Sequence, residues 1–309
     1  MSRLWLITGF LGAGKTTFLR NFVRFFEGNK IRLIINEFGQ AGIDGPLLAD
    51  LRALMDEISG GSVFCACRID QFEKALSRCG ADETILVESS GLSDPTGVRK
   101  LFAQTGRFPD IEYMGAVCLV DAVRFPKIYA TARSAVRQLA ASDLVLVNKT
   151  DLASPGQLEA TRALIRGQRP DMTVVETSFG KIPDDFLKLL RESQGGDREN
   201  LPLVGDLTNR RITVRISPEI SAFELRKFIE MFAENTYRVK GLIRTRDLGL
   251  AAADCVGNVV SVEKTDAVPG PEAANLLTVL AGNNMPAYSS VKKAAKWYPD
   301  YIESVQLSS

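Results

Sequence analysis

Residues 9–17 read GFLGAGKTT and follow directly on the apolar run LWLIT at 4–8. The stretch matches the pattern G-x-x-x-x-G-K-[ST], with Lys15 and Thr16 at its end. Glycines let successive backbone N–H groups of such a loop point at one centre and bind phosphate oxygens at the start of a helix. The following residues, 17–27, have phenylalanines at helical spacing. The sequence therefore predicts a strand, a phosphate-binding loop and a helix in succession.

Lysine and threonine have separate tasks in a loop of this kind. The Lys15 ammonium reaches the terminal phosphates of a nucleotide, and the Thr16 hydroxyl holds Mg²⁺. We therefore expect a nucleotide and its magnesium ion here, with Lys15 contributing to catalysis. The predicted phosphate-binding residues are Gly12, Ala13, Gly14, Lys15, Thr16 and Thr17.

The overall composition limits the possible classes of protein. The 309 residues are 45% hydrophobic and carry a formal net charge of +1, so we expect no nucleic-acid or membrane partner. No apolar run approaches the roughly 20 residues of a membrane span. We see no signal peptide, and the five cysteines are odd in number and mostly scattered, so we expect a cytoplasmic protein. The absence of histidine excludes a Ser-His-Asp triad and histidine metal ligands.

Strand-like runs alternate with helical patterns along the first part of the chain. The runs are continuously apolar, which is typical of strands buried on both faces of a parallel sheet. They lie at 31–36, 84–89, 115–121, 143–149 and 172–177, and helical spacing occurs near 68–79, 96–104, 124–140 and 155–168. This succession predicts a doubly wound, mostly parallel α/β domain over residues 1–195.

The pattern changes at the polar, glycine-rich stretch QGGDREN (194–200), which we interpret as a linker. RRITVRIS, YRVKGLIRT and NVVSVEK beyond it read as strands. SAFELRKFIEMFAE reads as an amphipathic helix that Ser221 caps, and KKAAKWYPDYIES as the site of a terminal helix. We therefore predict a second, smaller α+β domain with an antiparallel sheet over residues 205–309.

A second motif, NKTD at 148–151, follows directly on the strand-like run LVLV. A carboxylate at Asp151 can accept the N1 and N2 hydrogens of guanine, a donor pair that adenine lacks. The lysine stem can cover the base, and the asparagine can tie this loop to the phosphate-binding loop. TSFG at 177–180 has the composition of a plain turn but is also placed for a further base contact. The predicted guanine-binding residues for GTP and GDP are Asn148, Lys149, Asp151, Thr177 and Ser178.

Carboxylates follow two other strands. Glu88 ends TILVES, at the edge where open α/β sheets bind their ligands. We predict that Glu88 either binds Mg²⁺ through water or polarises the attacking water, and that Gly91 lets the backbone follow the γ phosphate. NEFG at 36–39, with Asp44 beyond it, is a candidate first switch.

These motifs resemble the CobW-type branch of P-loop GTPases, relatives of the GTPases that insert nickel into urease and hydrogenase. GFLGAGKTT, NEFG, ESSGLSDP, VDA and NKTD follow one another in the order of that family. YRVKGLIRT resembles the R-x-K-G strand of the family's C-terminal domain, so the resemblance covers essentially the whole chain. It implies slow, Mg²⁺-dependent GTP hydrolysis and the delivery of a metal such as zinc, or of cobalt in corrinoid synthesis.

The chain departs from this family at the metal motif. The family's stretch is similar to G-C-x-C-C-x-x-R, whereas residues 61–68 here read GSVFCACR. Only Cys65 keeps a cysteine position of the family, because Ser62 and Phe64 replace the other two and Cys67 is an additional thiol. Phenylalanine cannot bind a metal, and a serine hydroxyl is a poor ligand for soft or borderline ions.

Three candidate ligands for zinc or cobalt remain, namely Glu37, Cys65 and Cys67. The two thiolates face one side if the chain is extended, with Glu37 as a third ligand. The alternative is that both cysteines are small packing residues of a switch-linked hairpin, whose hairpin-like segment at 57–65 ends at Cys65. We expect no tight Zn²⁺ or Co²⁺ binding, since two of the family's three cysteines are replaced and the chain has no histidine.

Three functions fit these observations. The first is a GTP-dependent chaperone or insertase whose client is a metalloenzyme or a corrinoid protein, with a nucleotide-dependent homodimer as a further hypothesis. The second is a metallochaperone that carries zinc, cobalt or nickel at the reduced cysteine site. The third is a P-loop kinase of a small molecule, which the guanine-specific motif disfavours. We expect the first.

We predict that the protein binds GTP and GDP more tightly than adenine nucleotides. Losing a pair of hydrogen bonds to a charged acceptor costs roughly 2–5 kcal/mol, so the preference should exceed about tenfold. The variant Asp151→Asn should weaken guanine binding and favour xanthine, which has a carbonyl where guanine has its amino group. Equal affinities for ATP and GTP in calorimetry would contradict the assignment of Asp151.

Overall fold

The computed structural model describes residues 1–37, 53–59, 69–104, 107–194, 209–257, 259–266, 274–282 and 285–308. The chain divides into two units, Met1–Asp206 and Leu207–Ser309. A seven-stranded sheet and a six-stranded sheet form within the described residues. No helix in this part of the chain is long and apolar enough to cross a membrane.

The seven-stranded sheet lies in the first unit, and all its pairings are parallel. Its strand order is β3-β2-β4-β1-β5-β6-β7. The strands are β1 Ser2–Gly9, β2 Lys30–Glu37, β3 Leu54–Ser59, β4 Glu83–Glu88, β5 Ile111–Asp121, β6 Leu144–Asn148 and β7 Thr173–Glu176. The predicted doubly wound α/β fold is confirmed, and it brings the carboxyl ends of neighbouring strands to one edge of the sheet.

Helices connect these strands. They are α1 Lys15–Val23, α2 Ile69–Leu76, α3 Val98–Ala103, α4 Phe125–Thr131, α5 Arg133–Ala141, α6 Pro155–Gln168 and α7 Phe186–Glu192. The predicted start of α6 is confirmed, because the Ser154 hydroxyl accepts from the Gln157 N–H in a capping box. The helix predicted near 96–104 begins at Val98, because the Asp94 carboxylate accepts the Thr96 N–H at 3.1 Å and forms a turn before α3.

Buried aromatic side chains fix α1 against the sheet. Phe18 and Phe22 stack with ring centroids 5.1 Å apart, and both meet Phe186 of α7 edge-on. Trp5 of β1 packs against Phe22 and against Phe26, which lies in the single 3₁₀ turn that follows α1. Burying each of these rings stabilises the fold by roughly 1.5–3 kcal/mol. The helix that follows the phosphate-binding loop is therefore held by its apolar face.

One predicted helix of this unit differs from the structure. Residues 124–140, predicted as one helix, form α4 and α5, since Ala132 adopts an extended conformation (φ −122°, ψ 110°). At the end of α4, the Thr131 hydroxyl donates a hydrogen bond to the Lys127 carbonyl at 2.8 Å. Residues 57–59 of the hairpin-like segment belong to β3, which pairs parallel with β2, and residues 60–65 lie outside the described ones.

A buried ion cluster joins β3 to the sheet. The Arg32 guanidinium donates to Glu83 through Nε and to Asp56 through Nη1, both at 2.7 Å. Burial opposes ionisation of Glu83, but hydrogen bonds from Arg32 and the Gly80 backbone, with the nearby positive charge, lower its pKa overall. The edge strand that precedes the cysteine motif is thus anchored by charge as well as by its ladder.

The second unit contains an antiparallel sheet with the strand order β11-β10-β9-β12-β8-β13. Ser221 caps α8 with a reciprocal Glu224 contact, as predicted. The terminal helix α9 begins before the predicted stretch KKAAKWYPDYIES and ends before Pro299, and Ile302–Ser308 form a strand. The elements are β8 Asn209–Ile216, α8 Ala222–Glu230, β9 Arg238–Thr245, β10 Gly249–Val256, β11 Val259–Lys264, β12 Leu276–Gly282, α9 Ala287–Ala295 and β13 Ile302–Ser308.

Candidate functional site

The phosphate-binding loop connects β1 to α1, and two of its glycines are required by geometry. Gly9 has a φ of +133°, and a Cβ there would lie 2.3 Å from the Leu119 carbonyl oxygen. Gly14 has a φ of +98°, and a Cβ there would lie 2.4 Å from Nδ2 of Asn148. A side chain at either position would be strained and would clash. The loop can therefore pass close to β5 and to the end of β6.

The Lys15 ammonium lies inside this loop. Its Nζ donates to the Gly9 carbonyl at 2.9 Å and to the Phe10 carbonyl at 3.3 Å, and only 8% of the residue is exposed. Carbonyl oxygens satisfy the buried charge in this arrangement. The ammonium is therefore already positioned within reach of the loop that the motif assigns to phosphate.

Thr16 and Glu88 meet at the carboxyl ends of β1 and β4. The Thr16 hydroxyl lies 3.4 and 3.5 Å from the two carboxylate oxygens of Glu88, and Glu88 is 5% exposed. A hydroxyl and a carboxylate form an oxygen-only donor set of the kind that Mg²⁺ prefers. The donor set of these two residues fits magnesium.

Gly91 packs directly against the phosphate-binding loop. A Cβ at this position would lie 2.5 Å from Cδ2 and 2.6 Å from the backbone nitrogen of Leu11. Only glycine allows so close an approach of the two loops. The structure thus gives Gly91 a packing reason in addition to the backbone freedom that we predicted.

Asn148 joins the two halves of the site. Its Nδ2 donates to the Ala13 carbonyl of the phosphate-binding loop at 3.0 Å. Its Oδ1 accepts the Gly180 N–H of the loop after β7, also at 3.0 Å. The side chain is 2% exposed, so both bonds are shielded from water. Gly180, with a φ of +60°, also approaches the Phe18 backbone too closely for a Cβ.

Lys149 is held by an acidic residue that the predicted site did not include. Its Nζ lies 2.7 Å from Oδ2 of Asp121, the last residue of β5. The other carboxylate oxygen accepts the backbone N–H groups of Val123 and Arg124 at 3.0 and 3.1 Å. Asp121 is 3% exposed, and Lys149 has a φ of +62°. The VDA triplet was the available sequence signal for Asp121.

The remaining residues of the NKTD loop form hydrogen bonds with the loop after β7. The Ser178 hydroxyl accepts the Asp151 N–H at 3.2 Å and lies 3.0 Å from the Thr150 hydroxyl. The Thr150 hydroxyl also bonds the Thr177 carbonyl at 2.9 Å. Thr177 and Ser178 therefore support the backbone beside Asp151, while Asp151 itself is exposed.

The candidate transition-metal residues are only partly covered by the structure. Cys65 and Cys67 lie outside the described residues, as does Asp44 of the candidate first switch, and Glu37 is the last residue of β2. The described residues contain no group of three or more His, Cys, Asp or Glu that could hold a metal ion. Within this part of the chain, burial raises the pKa of the Cys118 thiol to about 12, which keeps that residue protonated and inert.

Sheet order, glycine-rich loop and the NKTD loop together define a P-loop nucleotide-binding domain. Residues 3–176 match the family model described as CobW/HypB/UreG, nucleotide-binding domain. The chain belongs to this family.

Several known proteins are similar to this chain. The zinc chaperone YeiR of Escherichia coli (strain K12) is 33% identical over 201 residues, or 62% of this chain. The zinc chaperone CobW of Pseudomonas aeruginosa is 32% identical over 220 residues, or 58% of this chain. The chain spans 60% and 57% of the lengths of these two relatives. A crystal structure of Zn(II)-bound YjiA GTPase from E. coli matches 95% of this chain and 98% of its own, with 20% identity and a TM-score of 0.45.

The variant Asn148→Ala should loosen both loops at once. It leaves the buried Ala13 carbonyl and Gly180 N–H without their partner, at a cost of roughly 1–3 kcal/mol for each group. We expect the free energy of unfolding in urea to fall by about 2–6 kcal/mol and guanine-nucleotide affinity to fall at least about tenfold.

Asn21→Ala is the matched control for this prediction. The half-buried Asn21 amide donates to the Phe179 and Gly180 carbonyls at 3.1 and 2.9 Å, so it contacts the same loop but not the phosphate-binding loop. Its loss should cost about 1 kcal/mol or less. Equal effects of the two variants on nucleotide affinity would refute the coupling through Asn148.

Proposed function

We propose that the protein binds GTP with Mg²⁺ and hydrolyses it slowly to GDP and phosphate. We further propose that this cycle serves a cytoplasmic chaperone or insertase of a metalloenzyme or corrinoid-type client, with a nucleotide-dependent homodimer as one possible form. One observation carries the proposal: the Asn148 amide of the NKTD motif connects the phosphate-binding loop to the loop after β7, at a single edge of the sheet. Both ends of a guanine nucleotide can be recognised there.

In this proposal three side chains bind the phosphate end of the nucleotide and its magnesium ion. Lys15 exchanges the Gly9 and Phe10 carbonyls for phosphate oxygens, which compensates the negative charge of the substrate. Thr16 and Glu88 hold the magnesium ion, Glu88 directly or through water, or Glu88 orients the attacking water. Mg²⁺, when bound, neutralises charge that develops on the phosphate oxygens.

The base end depends on Asp151 and Lys149. The exposed Asp151 carboxylate accepts the N1 and N2 hydrogens of guanine. The Asp121 carboxylate holds the Lys149 ammonium at 2.7 Å, so the aliphatic stem of this lysine is fixed where it covers the base. Thr177 and Ser178 act here as supports of the Asp151 backbone and as further base contacts.

A metallochaperone is the second candidate function. It is favoured by the names of the two relatives, both zinc chaperones, although the chain spans less than two thirds of either. The reduced ligand set of Glu37, Cys65 and Cys67 argues against tight storage of zinc or cobalt. Phosphate release without transfer to an acceptor would exclude the small-molecule kinase.

The variants Lys15→Ala and Thr16→Ala should abolish GTP hydrolysis while the fold survives, since both side chains serve phosphate and magnesium rather than the core. Phosphate release with Mg²⁺ measures turnover, and circular dichroism checks the fold. Asn21→Ala is the control, because Asn21 also lies on α1 but its amide donates to the Gly180 carbonyl of the loop after β7. Wild-type turnover in either variant would contradict the phosphate-loop assignment.

Zinc titration against a thiol-competing indicator separates the two candidate functions. We expect weak binding and GTP hydrolysis that needs no transition metal. A stoichiometric, GTP-sensitive Zn²⁺ complex that survives dialysis and is lost in Cys65→Ala would favour the metallochaperone instead. Such a complex should also strengthen with rising pH, because thiols must lose their protons to bind metal.

A further inference from the structure

A buried glutamine of α5 holds the loop that follows Glu88. We call residues 89–95 the Glu88 loop. The Gln138 side chain is fully buried, and its Nε2 donates to the Gly91 carbonyl at 3.1 Å and to the Ser93 carbonyl at 3.0 Å. Both amide protons are therefore used on a single loop, and both bonds reach across 45 or more residues of sequence.

Packing alone does not explain this residue. Oε1 of Gln138 is buried and has no hydrogen-bond partner among the residues that the structure describes. An unpaired buried acceptor costs free energy that an apolar side chain of the same size would avoid. The two hydrogen bonds that the amide donates therefore account for a polar side chain at this buried position.

The Glu88 loop is held from other sides as well. Arg137, the neighbour of Gln138 in α5, forms an ion pair with Asp94. At the end of β2, Oδ1 of Asn36 accepts the Ser90 N–H and the Ser93 hydroxyl, both at 3.3 Å. The loop is thus held between β2 and α5, and the two Gln138 bonds fix the Gly91 and Ser93 carbonyls.

The position so fixed is the one that faces the phosphate-binding loop. Gly91 lies against Leu11 so closely that a Cβ would meet its backbone nitrogen at 2.6 Å. Gln138 also lines a small cavity behind that loop, together with Phe10, Leu11 and Ala13. A carbonyl that accepts from Gln138 points toward α5, and it is thereby kept from turning its negative end toward a phosphate.

We propose that Gln138 is a positioning residue that sets the Glu88 loop for the γ phosphate and so distinguishes GTP from GDP. This inference rests on the proposed function, because it assigns Gly91 to the γ phosphate. The loop is pre-organised by Gln138, so its ordering does not have to be repeated when the triphosphate binds. GDP lacks the γ phosphate, and its binding is independent of the residue.

The test compares Gln138→Met with Gln168→Met in the full chain. Met is close to Gln in size but donates no hydrogen bond. Gln168 is the matched control, because its Nε2 donates to the Val136 carbonyl of α5 at 2.8 Å and its Oε1 is also without a partner in the described part of the chain. It does not bond the Glu88 loop. Calorimetry with Mg²⁺ gives the affinities for GDP and for a non-hydrolysable GTP analogue.

We expect Gln138→Met to weaken the analogue about tenfold, the equivalent of two lost hydrogen bonds, and to leave GDP affinity within about twofold. Gln168→Met should leave the ratio of the two affinities unchanged. Gln138→Asn keeps the amide but shortens it by one methylene, so it should shift the ratio in the same direction. An unchanged ratio in both Gln138 variants would overturn the proposal.

Hydrogen exchange of the nucleotide-free protein separates this inference from the proposed function. Amides of the Glu88 loop should exchange faster in Gln138→Met than in Gln168→Met, with or without any nucleotide activity. Failure of the wild type to bind guanine nucleotides refutes the proposed function and the GTP-selective role together. Equal exchange in the two variants refutes the positioning of the loop by Gln138, even if the wild type hydrolyses GTP.

Discussion

The amide of Asn148 is the constraint on which the site depends. One side chain satisfies a carbonyl of the phosphate-binding loop and an N–H of the loop after β7, at 3.0 Å each. A buried amide with both ends paired is stable only in one orientation, so the two loops keep one relative position. Gly14 and Gly180 follow from this constraint, since a Cβ at Gly14 would meet the Asn148 amide and one at Gly180 would meet α1. Fold and recognition are coupled through these few contacts.

The cationic side chains of the site are prepared before any ligand arrives. Lys15 is held by two carbonyls of its own loop, and Lys149 by the buried carboxylate of Asp121. An unpaired ammonium as buried as that of Lys15 would cost several kcal/mol, so its carbonyl partners are part of the stability of the site. The carbonyl partners of Lys15 are neutral and can be exchanged for phosphate, whereas the charged partner of Lys149 keeps its stem in place. This difference is the one that the proposed function requires of a lysine that binds phosphate and of a lysine that covers the base.

The sequence was sufficient where local spacing determines structure. GFLGAGKTT placed the loop and α1, continuous apolar runs placed five strands of the parallel sheet, and Ser221 marked the start of α8. It was insufficient where distant contacts decide. LMDEIS of β3 mixes polar and apolar residues, and its Asp56 is stabilised by Arg32 and Arg78, which lie far from it in the sequence. Gln138 sits in an ordinary helical pattern, and only the folded chain brings its amide to the Glu88 loop.

The decisive experiment is a crystal structure of the protein with Mg²⁺ and a non-hydrolysable GTP analogue. We expect Nζ of Lys15 to leave the Gly9 and Phe10 carbonyls for phosphate oxygens, while Asn148 keeps both of its bonds. The Asp151 carboxylate should then accept the two guanine hydrogens. A nucleotide bound elsewhere, with Lys15 still on its loop carbonyls, or a bound nucleotide with the Asn148 bridge broken, would contradict it.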